Sequence, residues 1–173
     1  MPPPTSAALV LLAALGIAVA YTDVRYRRIP NKLVLVTLIS GLLLNTVFGG
    51  LSGLLTSLGG FALAFCLMLL LHVFGAMGAG DVKLFAAAGA VVGYKLVLPA
   101  FAAVLIIGFL LAIVTMLRAR LVRSTAQNVA HFFLGLLPGW QLPRFDAAPG
   151  RATIPYGVAI ILGSLITLVV FRG

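Results

Sequence analysis

Only three residues of this 173-residue chain carry a side-chain carboxylate, Asp23, Asp81 and Asp146, and there is no glutamate. Asp23 opens the stretch Asp23-Val24-Arg25-Tyr26-Arg27-Arg28-Ile29-Pro30-Asn31. Asp81 closes Gly75-Ala76-Met77-Gly78-Ala79-Gly80-Asp81 and is followed by Val82-Lys83. Each acid stands where an apolar run ends or begins. An ionisable residue at such a boundary is costly and marks a functional site by default. Two carboxylates held close in a partly desolvated site cannot both ionise easily, so they share a proton and one acts as base, the other as acid. The chemistry this allows is peptide hydrolysis. The base draws a proton from the attacking water; the acid supports the oxyanion and then the leaving amine. This needs no metal and no cofactor. His72 and His131 lie far apart without ligand spacing, and the single cysteine, Cys66, excludes a cysteine-based zinc site and an internal disulfide.

Each motif also has a plainer reading. The glycines before Asp81 let backbone approach backbone or a substrate strand, or permit an irregular connection at membrane depth. Alternatively they form a hinge, with Asp81 capping the next helix. They are not a phosphate loop, because no Gly-Lys-Ser/Thr follows. Asp23 alone reads as one acid in a basic loop, and Pro30-Asn31 alone reads as a helix start. Lys83 either pairs with Asp81 or meets lipid headgroups. Asp146, beside Arg144 in a Pro/Gly-flanked loop, reads as a solvated acid.

The elements that must position Asp23 and Asp81 are membrane helices. The chain is 62% hydrophobic and 9% charged, with a mean hydropathy of +1.21. That composition points to an all-α polytopic membrane bundle in a single domain, residues 1–173. A span needs ~20 apolar residues. Six are expected, at about 5–21, 33–48, 54–74, 82–95, 97–117 and 154–171. Gly49-Gly50-Leu51-Ser52-Gly53 is the expected turn between the second and third, and Lys95 with Pro99 the expected break between the fourth and fifth. The fourth span is short, and a re-entrant arrangement is its alternative. Its Gly89-Ala90-Val91-Val92-Gly93 is a small-xxx-small face suited to close helix packing.

Charge sets the orientation. The loops after the first, third and fifth spans hold Arg25, Arg27, Arg28, Lys32, Lys83, Arg118, Arg120, Arg123, Arg144 and Arg151; the other side holds Lys95 and Arg172. The positive-inside rule then puts the amino terminus outside and both aspartates at the cytoplasmic face of the plasma membrane. The net charge of +9 is expected to engage anionic headgroups rather than nucleic acid. In the loop 118–153, Val129, Phe132, Phe133, Leu136 and Leu137 follow helical spacing. They are expected to form an interfacial amphipathic helix, with Trp140 at headgroup level. Ala18-Val19-Ala20 resembles a signal-peptidase site, but no basic region precedes it and arginines follow it at once, so the first segment is expected to remain.

Taken together, these motifs resemble the type IV prepilin peptidases, membrane aspartic proteases of the Gly-x-Gly-Asp type. The resemblance is carried by Asp23…Ile29-Pro30-Asn31, by Gly78-Ala79-Gly80-Asp81-Val82-Lys83 and by the late Ile154-Pro155-Tyr156-Gly157. It implies that Asp23 and Asp81 are catalytic. It further implies that Pro30, Asn31, Gly78, Gly80, Lys83, Pro155, Tyr156 and Gly157 shape the site or bind substrate. The implied substrate is a pilin-like precursor, cut behind its short basic leader, usually after a glycine. Many members carry an extra four-cysteine domain and methylate the new terminus. This chain has one cysteine, so the resemblance implies a peptidase-only form, similar to tight-adherence or archaeal preflagellin enzymes, without a methyl donor.

Two other classes compete. A small proton- or cation-coupled transporter would also use boundary acids and glycine-broken helices, although these acids share one face rather than the midplane. A non-catalytic secretion-system subunit would use Asp81 as a helix cap. Loss of cleavage on either Asp→Asn change separates the peptidase from both.

Overall fold

A computed structural model describes residues 5–26, 29–75, 77–118 and 156–171. The described residues form five helical elements and no strand. They are α1 (Thr5–Tyr26), α2 (Asn31–Val73), α3 (Ala79–Val92), α4 (Tyr94–Arg118) and α5 (Tyr156–Val170). Cα packing divides the chain into two compact units. One is Met1–Gly108 with Pro155–Gly173, and the other is Phe109–Ile154. The site lies in the first. The expected amphipathic helix at 129–137, Trp140 and Asp146 lie outside the described residues.

The helical membrane character is clear, but not the count of six spans. Three helical stretches are long and apolar enough to cross a membrane, Ser6–Asp23, Asn31–Val73 and Tyr94–Thr115. α3 has 14 residues and α5 has 15, about 21–23 Å of helix against a hydrocarbon core of roughly 30 Å. The break after α3 also differs from expectation. It falls at Gly93, with φ 78°, and α4 starts at Tyr94. Lys95 and Pro99 therefore lie in the first turns of α4. There a missing proline N–H releases only the Lys95 carbonyl, on an exposed residue.

The expected second and third spans form α2, whose 43 residues are interrupted only at Gly50, with φ 57° and ψ −139°. A straight helix would separate Gly41 from Gly60 by about 28 Å. Yet Gly41 packs against Ala90 and Val91, and Gly60 packs against Gly89 and Gly93. Both arms thus flank the same turns of α3, and α2 folds back on itself. The five-residue turn expected there is in effect one residue, at a backbone conformation that glycine alone adopts without penalty.

α3 is the centre of this unit. Val82 and every residue from Leu84 to Val91 are buried, as expected for a helix apolar on all sides. Its small face fits the second arm of α2: a Cβ on Gly89 would stand 2.5 Å from the Ala64 Cβ. Asn45 and Ser57, one on each arm, donate to the Ala90 carbonyl at 2.9 and 2.6 Å, and Asn45 also reaches the Val91 carbonyl at 3.2 Å. The last turn of α3, whose carbonyls have no partner within the helix, is satisfied there by side chains. Phe85 of α3 meets Phe101 of α4 at 5.9 Å between ring centroids. α5 packs on α1 through Ile161 against Gly16, and on α4 through Gly163 against Val104.

Candidate active site

On α1, Ala8, Leu12, Gly16, Val19 and Asp23 are all buried. Their spacing of three and four residues makes one helix face, and Asp23 is its last member, with 8% exposure. That face meets α5. Asp23 Oδ2 accepts a hydrogen bond of 2.8 Å from the backbone N–H of Gly157, in the first turn of α5. A Cβ on Gly157 would stand 2.7 Å from the same oxygen and 3.3 Å from Val19 Cγ1. Gly157 is therefore a close-approach glycine against Asp23.

Asp81 lies in the first turn of α3. Gly78 caps that helix with extended backbone, φ −75° and ψ 150°. The Gly78 carbonyl accepts from the N–H groups of Asp81 and Val82, at 3.1 and 3.3 Å. The Gly78 N–H in turn donates to Asp81 Oδ2 at 3.3 Å. The capping role set out above as the plainer alternative is thus real, and it coexists with a second relationship. Burial pushes the Asp81 carboxyl up to about 6; the nearby Asp23 charge adds to the rise and the Gly78 N–H opposes it. Asp81 also lies within electrostatic reach of Tyr156, the half-buried residue that begins α5. The structure thus brings Asp23, Asp81, Tyr156 and Gly157 together from three helices.

The remaining expected residues fall around this group. Gly80 lies against Ile29, with 3.7 Å from a built Cβ to the Ile29 Cβ, so the Ile29-Pro30-Asn31 turn is brought to the start of α3. Pro30 precedes α2 with φ −64°, and its carbonyl accepts from the Leu33 and Val34 N–H groups at 3.0 and 3.3 Å. Asn31 is exposed at the first position of α2. Both thus serve as a helix start. Lys83 is exposed, one turn into α3 and close to Asp81 in sequence. Pro155 lies outside the described residues.

Two contributors escaped the sequence reading. Gly108 is the seat of the Tyr156 ring, with 2.9 Å from a built Cβ to Tyr156 Cε1. His72, set aside for want of ligand spacing, makes a bond of 2.7 Å from Nδ1 to the Met77 carbonyl. No side-chain pattern announces either, since their partners are a ring 48 positions away and a backbone carbonyl in a turn. Among the described residues no group of three or more His, Cys, Asp or Glu gathers as a metal site.

Comparison with known proteins places the chain in a family. A curated relative from Bacillus subtilis (strain 168), the prepilin leader peptidase/N-methyltransferase, is 33% identical over 117 residues. That match takes in 66% of this chain but 46% of the relative, so the chain spans about half the relative's length. No solved structure matches. The model of the type IV leader peptidase family matches residues 10–116, which include both Asp23 and Asp81. With more than half of the chain matched, the protein belongs to the type IV leader peptidase family.

Proposed function

We propose that this protein is an aspartic endopeptidase of the membrane that removes the short basic leader from pilin-like precursors. The observation that carries the reading is the approach of Asp23, at the end of α1, to Asp81, at the start of α3, close enough for one charge to oppose the other. A pair so placed titrates as a unit, with one proton between two carboxylates. The ionised member takes a proton from water as its oxygen attacks the scissile carbonyl. The protonated member hydrogen-bonds the developing oxyanion. It then gives its proton to the amine nitrogen as the C–N bond breaks.

The supports for each acid suit that task. The Gly157 and Val158 N–H groups hold the Asp23 carboxylate, and the Gly78 N–H holds one oxygen of Asp81. We infer a six-pass arrangement with both acids at the cytoplasmic face. The asymmetry of basic residues and the length of α2, enough for two passes, support it. A precursor with a basic leader and an apolar helix presents its scissile bond at that depth. Anionic headgroups gather the leader, while the basic loops of the enzyme rest on the same surface. The proposal extends to hydrolysis alone.

The test is cleavage of a panel of pilin precursors, short tight-adherence pilins included, by membranes carrying wild type, Asp23→Asn, Asp81→Asn or Asp146→Asn. Wild type and Asp146→Asn cut, while each of the other two loses at least about 100-fold in rate and stays folded. Equal behaviour of all four overturns the reading.

A further inference from the structure

We propose that His72 is a positioning residue for Asp81, acting through the one peptide group that joins Met77 to Gly78. The carbonyl of that peptide accepts the His72 bond at 2.7 Å. The N–H of the same peptide donates to Asp81 Oδ2 at 3.3 Å. A carbonyl only accepts, so His72 Nδ1 carries the proton. The result is a continuous chain, Nδ1–H to C=O and N–H to carboxylate, that runs from α2 to the first turn of α3.

Two consequences follow from this geometry. The first is orientation. A peptide group is planar, so holding its carbonyl fixes the direction of its N–H. The bond to Asp81, at 3.3 Å, is slightly longer than the usual N–H···O range, and a small tilt of the plane breaks it. The second is polarisation. A peptide that accepts at its oxygen becomes a stronger donor at its nitrogen, which favours the charged form of Asp81.

The surroundings make His72 a fitting holder for this turn. Its own carbonyl accepts from the Gly75 N–H at 2.9 Å, at the end of α2. Gly75 then turns the chain with φ 73°. His72 thus grips the turn twice, once by main chain and once by side chain. Met77, between the two held groups, is buried, so the peptide is anchored from the apolar side as well. The titratable groups facing Asp81 among the described residues are Asp23 from α1 and Tyr156 from α5. Lys83, on its own helix, is exposed.

This inference rests on the peptidase reading for its kinetic consequence, but not for its structural one, and the experiment separates them. Protein labelled with 13C at the aspartate carboxyls is titrated by NMR in detergent, with Asp81→Asn assigning the resonance. Wild type, His72→Leu, His72→Gln and His72→Asn are compared. Asn places an amide donor near the position of Nδ1; Gln moves it one methylene outward and serves if Leu does not fold. Leu and Gln raise the titration point of Asp81 by roughly half a pH unit or more, and Asn restores it. In cleavage assays Leu and Gln lower kcat about tenfold with KM within about twofold, and shift the acid limb of the pH profile upward. An Asp81 titration indifferent to His72, or Asn no better than Leu, overturns the proposal. If no precursor is cut by wild type while the titration still follows His72, the positioning role stands and the peptidase reading falls.

Discussion

The Asp23 carboxylate is held at 2.8 Å by the backbone N–H of Gly157, 134 positions further along the chain. This contact closes the site, because it ties the end of α1 to the start of α5. It also leaves no room for a side chain at position 157, where a Cβ would stand 2.7 Å from the carboxylate oxygen it serves. Gly157→Ala is therefore expected to displace the carboxylate rather than unfold the chain. Cleavage falls on the order of 10–100-fold, while the thermal midpoint in detergent moves little. Single-turnover cleavage beside thermal unfolding checks it; undiminished cleavage means that Asp23 works without its α5 partner.

Stability should depend on pH through Asp81. Its carboxyl is raised from 3.8 to about 6 in the folded protein, so the folded state binds its proton more tightly than the unfolded state does. The associated stability is fully present below about pH 3.8 and is lost as pH rises through about 6. Asp81→Asn, neutral at every pH, removes this dependence. The variant should be more stable than wild type above pH 6, with the gap closing as pH falls toward 4. Unfolding midpoints of the two proteins across that range measure it, and parallel curves would contradict it.

The polar node at the end of α3 makes a separate claim. Asn45, 1% exposed, donates to Ala90 and Val91 carbonyls that otherwise face an apolar interior. Asn45→Leu is expected to cost about 1–2 kcal/mol. Adding Ser57→Ala removes the second donor to Ala90 and should cost more than the two single changes summed. A double-mutant cycle on unfolding free energies decides whether the two arms of α2 cooperate at this point.

Packing at Gly89 leaves no space for a side chain. Its neighbours are the Ala64 Cβ at 2.5 Å and the Gly60 carbonyl oxygen at 2.6 Å from a built Cβ, and neither belongs to a flexible side chain. Gly89→Val should lose folded protein altogether, whereas Gly80→Ala, with its nearest contact at 3.7 Å, should accumulate normally. Protease resistance of membrane-inserted protein compares them directly.

Much of the site was legible in the sequence. The rarity of acids singles out Asp23 and Asp81, and the structure sets them close enough for one charge to act on the other. That Asp23 faces inward was not legible: α1 is apolar on nearly every side, and only the burial of Ala8, Leu12, Gly16, Val19 and Asp23 marks the face. What else was not legible has a common cause. The groups that hold the acids are backbone donors, the N–H groups of Gly78 and Gly157, and a backbone N–H has no residue signature. The same holds for His72, whose partner is a carbonyl in a turn. Helix ends were misjudged where a single glycine does the work expected of a longer signal. Gly50 alone reverses α2 where five residues were expected, and Gly93, rather than Lys95 with Pro99, ends α3.

The tie between Asp23 and Gly157 also bears on when the protein becomes active. A ribosome delivers α1 first and α5 last, and the arms of α2 must be folded before α3 has a cradle to enter. Asp23 and Asp81 are both synthesised well before the N–H that fixes Asp23 emerges. A nascent chain stalled before position 157 holds both acids but not the group that orients the first. On the peptidase reading proposed above, the oriented pair of acids is complete only once α5 has been made.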